Sequence, residues 1–78
     1  MISFKSIPQM FEKERDGRKP NTIREMDEFD NRFKLLAESK AHLITIVNTE
    51  TQEAFTRKIT DVSIWKNIMI ISWEYKDE

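Results

Sequence analysis

The residues best suited to chemistry fall in one short stretch, Gly17-Arg18-Lys19-Pro20-Asn21-Thr22-Ile23-Arg24. A glycine turn lets backbone N–H groups approach an incoming ligand closely. Lys19 and Arg24 supply positive charge, and Asn21 and Thr22 offer hydrogen bonds. Such a set suits the phosphate and the base edge of a nucleotide. Trp65, Trp73 and Tyr75 add rings on which a base could stack, although a short chain needs its aromatic residues first for a core. Other chemistries lack their residues. His42 is the single histidine and there is no cysteine, so no zinc set forms. Asp27, Glu28, Asp30 and Asn31 have the composition of a calcium loop without its glycine or its distal glutamate. No phosphate-binding P-loop or dinucleotide fingerprint occurs. We expect no metal and no cofactor.

Local patterns indicate the elements that position this stretch. Ile2 and Phe4 alternate with polar residues and predict a short strand. Ser6-Ile7-Pro8-Gln9 reads as a helix start, with Ser6 as cap, Gln9 at the capping-box position and Pro8 in the first turn. The helix is expected to run to Asp16, with Ile7, Met10, Phe11 and the stem of Arg15 on one face. Gly17, the only glycine, should end it with a positive φ, and Pro20 should hold Lys19 extended. Asn21 to Met26 reads as a second strand and Asp27 to Asn31 as a polar loop. Phe33, Leu35 and Leu36 fit either a short helix or a strand entry.

The second half is richer in β-branched residues. Leu43 to Val47 predicts a strand, Asn48 to Gln52 a turn, and Glu53 to Thr60 a strand with Phe55, Arg57 and Ile59 on one side. Val62, Ile64 and Trp65 follow, then a break at Lys66-Asn67. The last strand, Ile68 to Tyr75, is apolar on both faces at its middle, which suits a central position, and a charged tail follows it. The expected core is Phe4, Phe11, Ile46, Phe55, Ile59, Ile70 and Trp73. This order predicts a single α+β domain over residues 1–78.

Charge narrows the function only locally. Thirteen basic residues against fourteen acidic ones leave a net charge of −1, so whole-chain charge makes no case for nucleic acid. Lys13, Arg15, Arg18, Lys19 and Arg24, against Glu14 and Asp16, nevertheless form a basic block, directly followed by Glu25, Asp27, Glu28 and Asp30. The longest apolar run, Ile68-Met69-Ile70-Ile71, is far short of the ~20 residues that span a bilayer. The N-terminal residues lack a signal-peptide pattern, and a cytoplasmic protein without membrane contact is expected.

The helix, the Gly17-x-Lys19-x-x-Thr22-x-Arg24 turn and the strand it opens resemble the ASCH family of the PUA-like β-barrels. The likeness covers roughly residues 1–33, and Ile70-Ile71-Ser72-Trp73-Glu74 looks like the closing strand of such a barrel. The middle is shorter than in typical members, and Phe33-Lys34-Leu35-Leu36 stands where a Gly-Asp pair often does. The chain also looks like small uncharacterised phage and prophage proteins. The resemblance implies an α+β fold: a small antiparallel β-barrel or curled sheet with one N-terminal helix. It also implies a non-catalytic cleft, lined by Gly17, Lys19, Asn21, Thr22 and Arg24, for RNA, single-stranded nucleic acid or a nucleoside derivative.

Two alternatives stay open. One is a small phage-type protein that acts by binding a host or phage protein. The other is an amidohydrolase of N-acylated cytidines. In ASCH enzymes of that kind a lysine three residues before a threonine helps activate its hydroxyl, with a glutamate elsewhere in the cleft. Lys19 and Thr22 match the first two by position, and Glu53 or Glu74 would have to supply the third.

Overall fold

Alternation of apolar and polar residues builds the sheet, because successive strand residues face opposite sides. In β1 (Ile2–Ser6) Ile2, Phe4 and Ser6 are buried while Ser3 and Lys5 are exposed. The same alternation buries Ile44, Ile46 and Asn48 of β3 (Leu43–Asn48) and Met69, Ile71 and Trp73 of β5 (Ile68–Trp73). The computed structural model describes residues 2–75, and the charged tail beyond Tyr75 lies outside them. With α1 (Pro8–Arg15), β2 (Asn21–Glu25), α2 (Asn31–Ala37) and β4 (Ala54–Trp65), the order is β1-α1-β2-α2-β3-β4-β5.

The five strands form one curled, half-barrel sheet in the order β1-β3-β4-β5-β2. β4 holds it together. Its first half pairs with β3, its second half with β5, and the register shifts between Ile59 and Asp61. That irregularity adds local twist and bends the strand. Residues expected to be two short segments are therefore one strand of twelve. β5 lies between β4 and β2, the central position its two apolar faces suggested. The core fills the concave side, where Phe11 of α1 packs on Phe55 at 5.3 Å and Phe33 of α2 on Phe4 at 5.6 Å.

Several expectations need correction. The described residues form two helices, not one: Asp30 caps α2 by accepting from Arg32 N–H at 3.0 Å, so Asn31 is helical rather than loop. Seven residues are too few for periodicity to separate helix from strand entry. The sheet is not wholly antiparallel, since β1 and β3 run parallel after the chain's long excursion through both helices. Ser6 ends β1 and does not cap α1, whose N-cap is Ile7 without a side-chain bond. The buried face of α1 is Phe11 and Glu14, while Ile7 is 58% exposed. Ile70 faces outward and Ile59 is only partly buried, so Met69 and Ile71 take the core places expected of them. β5 stops at Trp73, short of Tyr75.

Gly17 behaves as its position after the helix requires. Its φ is +88°, and a Cβ there would lie 2.6 Å from the Tyr75 ring. The turn closes when Lys19 N–H donates to the Lys13 carbonyl at 3.0 Å, aiming the chain into β2.

Candidate functional site

The curl brings the two edge strands, β1 and β2, toward each other, and side chains rather than a backbone ladder join them. Arg24 of β2 reaches across the seam. Its Nη1 donates to the Lys5 carbonyl and its Nη2 to Ser6 Oγ, each at 2.9 Å. Its Nε donates to Thr22 Oγ1 at 2.9 Å, which fixes the fork. On the same edge of β1, Arg32 from α2 donates to the Ser3 carbonyl. Both guanidiniums lie over the Phe4 ring, at 5.0 and 4.1 Å. Two arginines thus occupy carbonyls that an uncovered edge strand would offer to another chain.

Where α1 roofs this seam, a cleft of about 290 Å³ opens, lined by residues of β1, α1, the Gly17–Arg24 turn and β2. Lys19, Thr22 and Arg24 all line it. β2 alternation puts Thr22 and Arg24 on one side, and the irregular turn swings Lys19 in to join them. Two expected residues are not part of the lining. Gly17 lies against Tyr75, and Asn21 serves through its backbone carbonyl, which accepts from Lys19 Nζ at 2.9 Å.

The residue the sequence reading missed is Glu14. Its side chain is 1% exposed and lines the cleft, and its Oε2 lies 3.5 Å from Lys19 Nζ. Its Oε1 is buried without a hydrogen-bond partner among the described residues. The signal was the three-residue step from Phe11, which puts both on one helix face. Neither glutamate considered earlier reaches the cleft. Glu53 pairs with Arg15 at 3.0 Å on the surface, and Glu74 is exposed after β5.

The charged groups that line the cleft are Lys5, Lys19 and Arg24 against one carboxylate, Glu14. Lys19 faces Glu14, and three Arg24 N–H groups are engaged within the seam. Burial pulls the Arg24 pKa below the ordinary arginine range, with Glu14 opposing that shift and Arg32 adding to it. Lys5 is the exposed cation at the rim. The walls are apolar: Ile7 and Met10 on the α1 side and Ile23, 57% exposed, on the β2 side. An apolar slot with a polar floor can hold a flat ring and read its edge. Trp65 and Trp73 take no part in it. Trp73 is 4% exposed in the core and Trp65 is 65% exposed on β4.

No group of three or more histidine or acidic side chains among the described residues is arranged to hold a metal ion. No helix among them is long and apolar enough to cross a membrane. No family model, curated protein or solved structure matches the chain.

Proposed function

We propose that the chain is a small, non-catalytic domain whose cleft takes a nucleobase, either from single-stranded nucleic acid or from a nucleoside derivative. The observation that carries this reading is Glu14, a buried carboxylate that lines a slot with isoleucine walls and whose Oε1 has no hydrogen-bond partner among the described residues. Leaving such an acceptor unsatisfied costs about 1–3 kcal/mol, which a ligand N–H would recover. Lys19 beside it offers donors to a neighbouring ring nitrogen or carbonyl, so floor and base edge are complementary. The volume sits near the lower limit of small-molecule pockets, which suits one base and not a duplex. The likeness of the Gly17–Arg24 turn to ASCH domains points the same way.

Phosphate contributes little in this reading, because the floor holds a carboxylate and Arg24 is engaged in the seam. Binding should then weaken only modestly with salt, unlike recognition through many phosphates. The amidohydrolase alternative gains the nearness of Lys19, Thr22 and Glu14, which share the cleft. Against it, no hydrogen bond joins Lys19 Nζ to Thr22 Oγ1, which instead accepts from Arg24.

The test is titration of the folded chain with nucleosides, N-acylated nucleosides, short RNA and single-stranded DNA. Saturable binding, weakened at least ten-fold by Glu14→Gln and by Lys19→Gln in variants of unchanged fold, is expected. Silence across the whole set would sink the reading. Release of an acyl group would replace it with the hydrolase.

A further inference from the structure

The outward face of the second half of the sheet carries a patch that the cleft does not use. Antiparallel partners share a face, so the register places its residues in rows. Glu25, Ile68 and Trp65 form one row, Ile23, Ile70 and Ser63 the next, and Asn21, Ser72 and Asp61 the third. The middle of this face is apolar. Trp65 is 65% exposed, Ile68 and Ile70 are partly exposed, and Ile23 stands at the margin shared with the cleft. Two opposite corners, Glu25 and Asp61, are acidic. The rim continues into the turn after β2, which carries Asp27, Glu28 and the 89% exposed Phe29. Met26 N–H donates to the Asn67 carbonyl at 2.7 Å and Asn67 Nδ2 to Glu25 Oε1 at 3.2 Å, so that turn is fastened to the β4–β5 hairpin. Lys66 is the one cation of the hairpin tip, and its Nζ lies 4.6 Å from the centroid of the Trp65 ring.

We propose that this face docks a basic, apolar segment of another protein. The apolar centre supplies the buried area, and the carboxylates at its corners select cationic side chains over anionic ones. Lys66 over Trp65 marks where a partner's arginine or lysine would lie, since an indole face attracts a cation. The same carboxylates repel phosphate, so the face and the cleft serve different ligands. A second copy of the chain fits less well, because its patch brings one cation, Lys66, to meet Glu25, Asp61, Asp27 and Glu28.

Two synthetic amphipathic helices with one leucine pattern, one with a lysine and one with a glutamate polar face, provide the test. Trp65 fluorescence and backbone amide shifts are the readouts. The lysine peptide should saturate, shift the emission to the blue and move the amides of Glu25, Trp65, Ile68 and Ile70. The doubly reversed variant Glu25→Lys/Asp61→Lys should bind it at least ten-fold more weakly while its cleft titrates nucleosides as before. Equal binding of both peptides, or binding of neither, would overturn the proposal. So would a concentration-dependent dimer that moves these same amides without peptide, since a second copy would then cover the face.

Discussion

The two halves of the sheet share a core but differ on their outer faces. On the first half, Ser3, Thr45 and Thr56 lie side by side and Lys5 and Lys58 are close by, with Leu43, Val47 and Ala54 between them. Thr45 and Thr56 join their hydroxyls at 2.8 Å, a polar cross-strand pair suited to water. On the second half the corresponding positions are Ile23, Ile68, Ile70 and Trp65, between carboxylates. Inward positions are apolar in both halves because one core demands it. Outward positions answer to no packing constraint within the chain, so the larger exposed apolar side chains of the second half, Trp65 and Ile23 above all, are a feature that folding does not require.

The largest expected effect comes from cutting the core that both halves share. Trp73 of β5 meets Phe55, in the first half of β4, edge-on at 6.1 Å. Trp73→Ala should cost about 3–5 kcal/mol, enough to unfold a marginal domain, and a thermal melt would show it. A stable variant would mean that the halves do not depend on one core.

Next is the turn that feeds β2. Gly17→Ala meets both a positive φ and the Tyr75 ring, and should cost about 2 kcal/mol by chemical denaturation. A smaller loss follows from opening the seam. Arg24→Gln leaves the Lys5 carbonyl and Ser6 Oγ without their donor and should cost about 1–2 kcal/mol, with faster amide exchange in β1 and β2. Unchanged exchange would show that the edges hold without Arg24.

Acid should act on the two turns that flank β2. A hydrogen bond from Arg18 N–H lowers the Asp16 pKa, and hydrogen bonding from the Arg32 guanidinium lowers that of Asp30. A depressed carboxylate pKa stabilises the fold fully above the ordinary value of about 3.9. That contribution is lost as pH falls through the lowered folded-state values. Asp30→Asn should therefore flatten the acid limb of a stability–pH curve; an identical limb would contradict it. The smallest effect is expected on the outer face. Trp65→Ser should change stability by no more than about 0.5 kcal/mol, because its ring is mostly exposed and its described ring contact is Lys66. A large loss would show that the second half needs its apolar face to fold.

Much of the architecture was legible because strand signals are local. Alternation at Ile2 and Phe4, the β-branched run from Leu43 and the break at Lys66-Asn67 all correspond to elements. Gly17 was legible for the same reason, since a lone glycine after a helical run has one economical explanation. The α2 helix was not, being too short for its period to show. Glu14 was passed over because a charged residue is normally assigned to the solvent side of a helix. Lys19, returning through the turn, and the nearby charge of Arg24 make its burial tolerable.

By itself, then, the sequence determined where most strands lie, the helix stop at Gly17 and the grouping of Lys19, Thr22 and Arg24, because each depends on neighbours a few residues away. Only the tertiary structure decided that β1 and β2 meet, that Arg24 spans them and that Glu14 lies in the cleft between them. Those facts depend on how far β4 bends, and so on pairings between residues remote in the chain. The β2–β5 and β4–β5 pairings left Ile23, Ile68, Ile70 and Trp65 together on the outside. Period-two alternation tells which residues share a face, but which strands lie side by side is settled by long-range pairing.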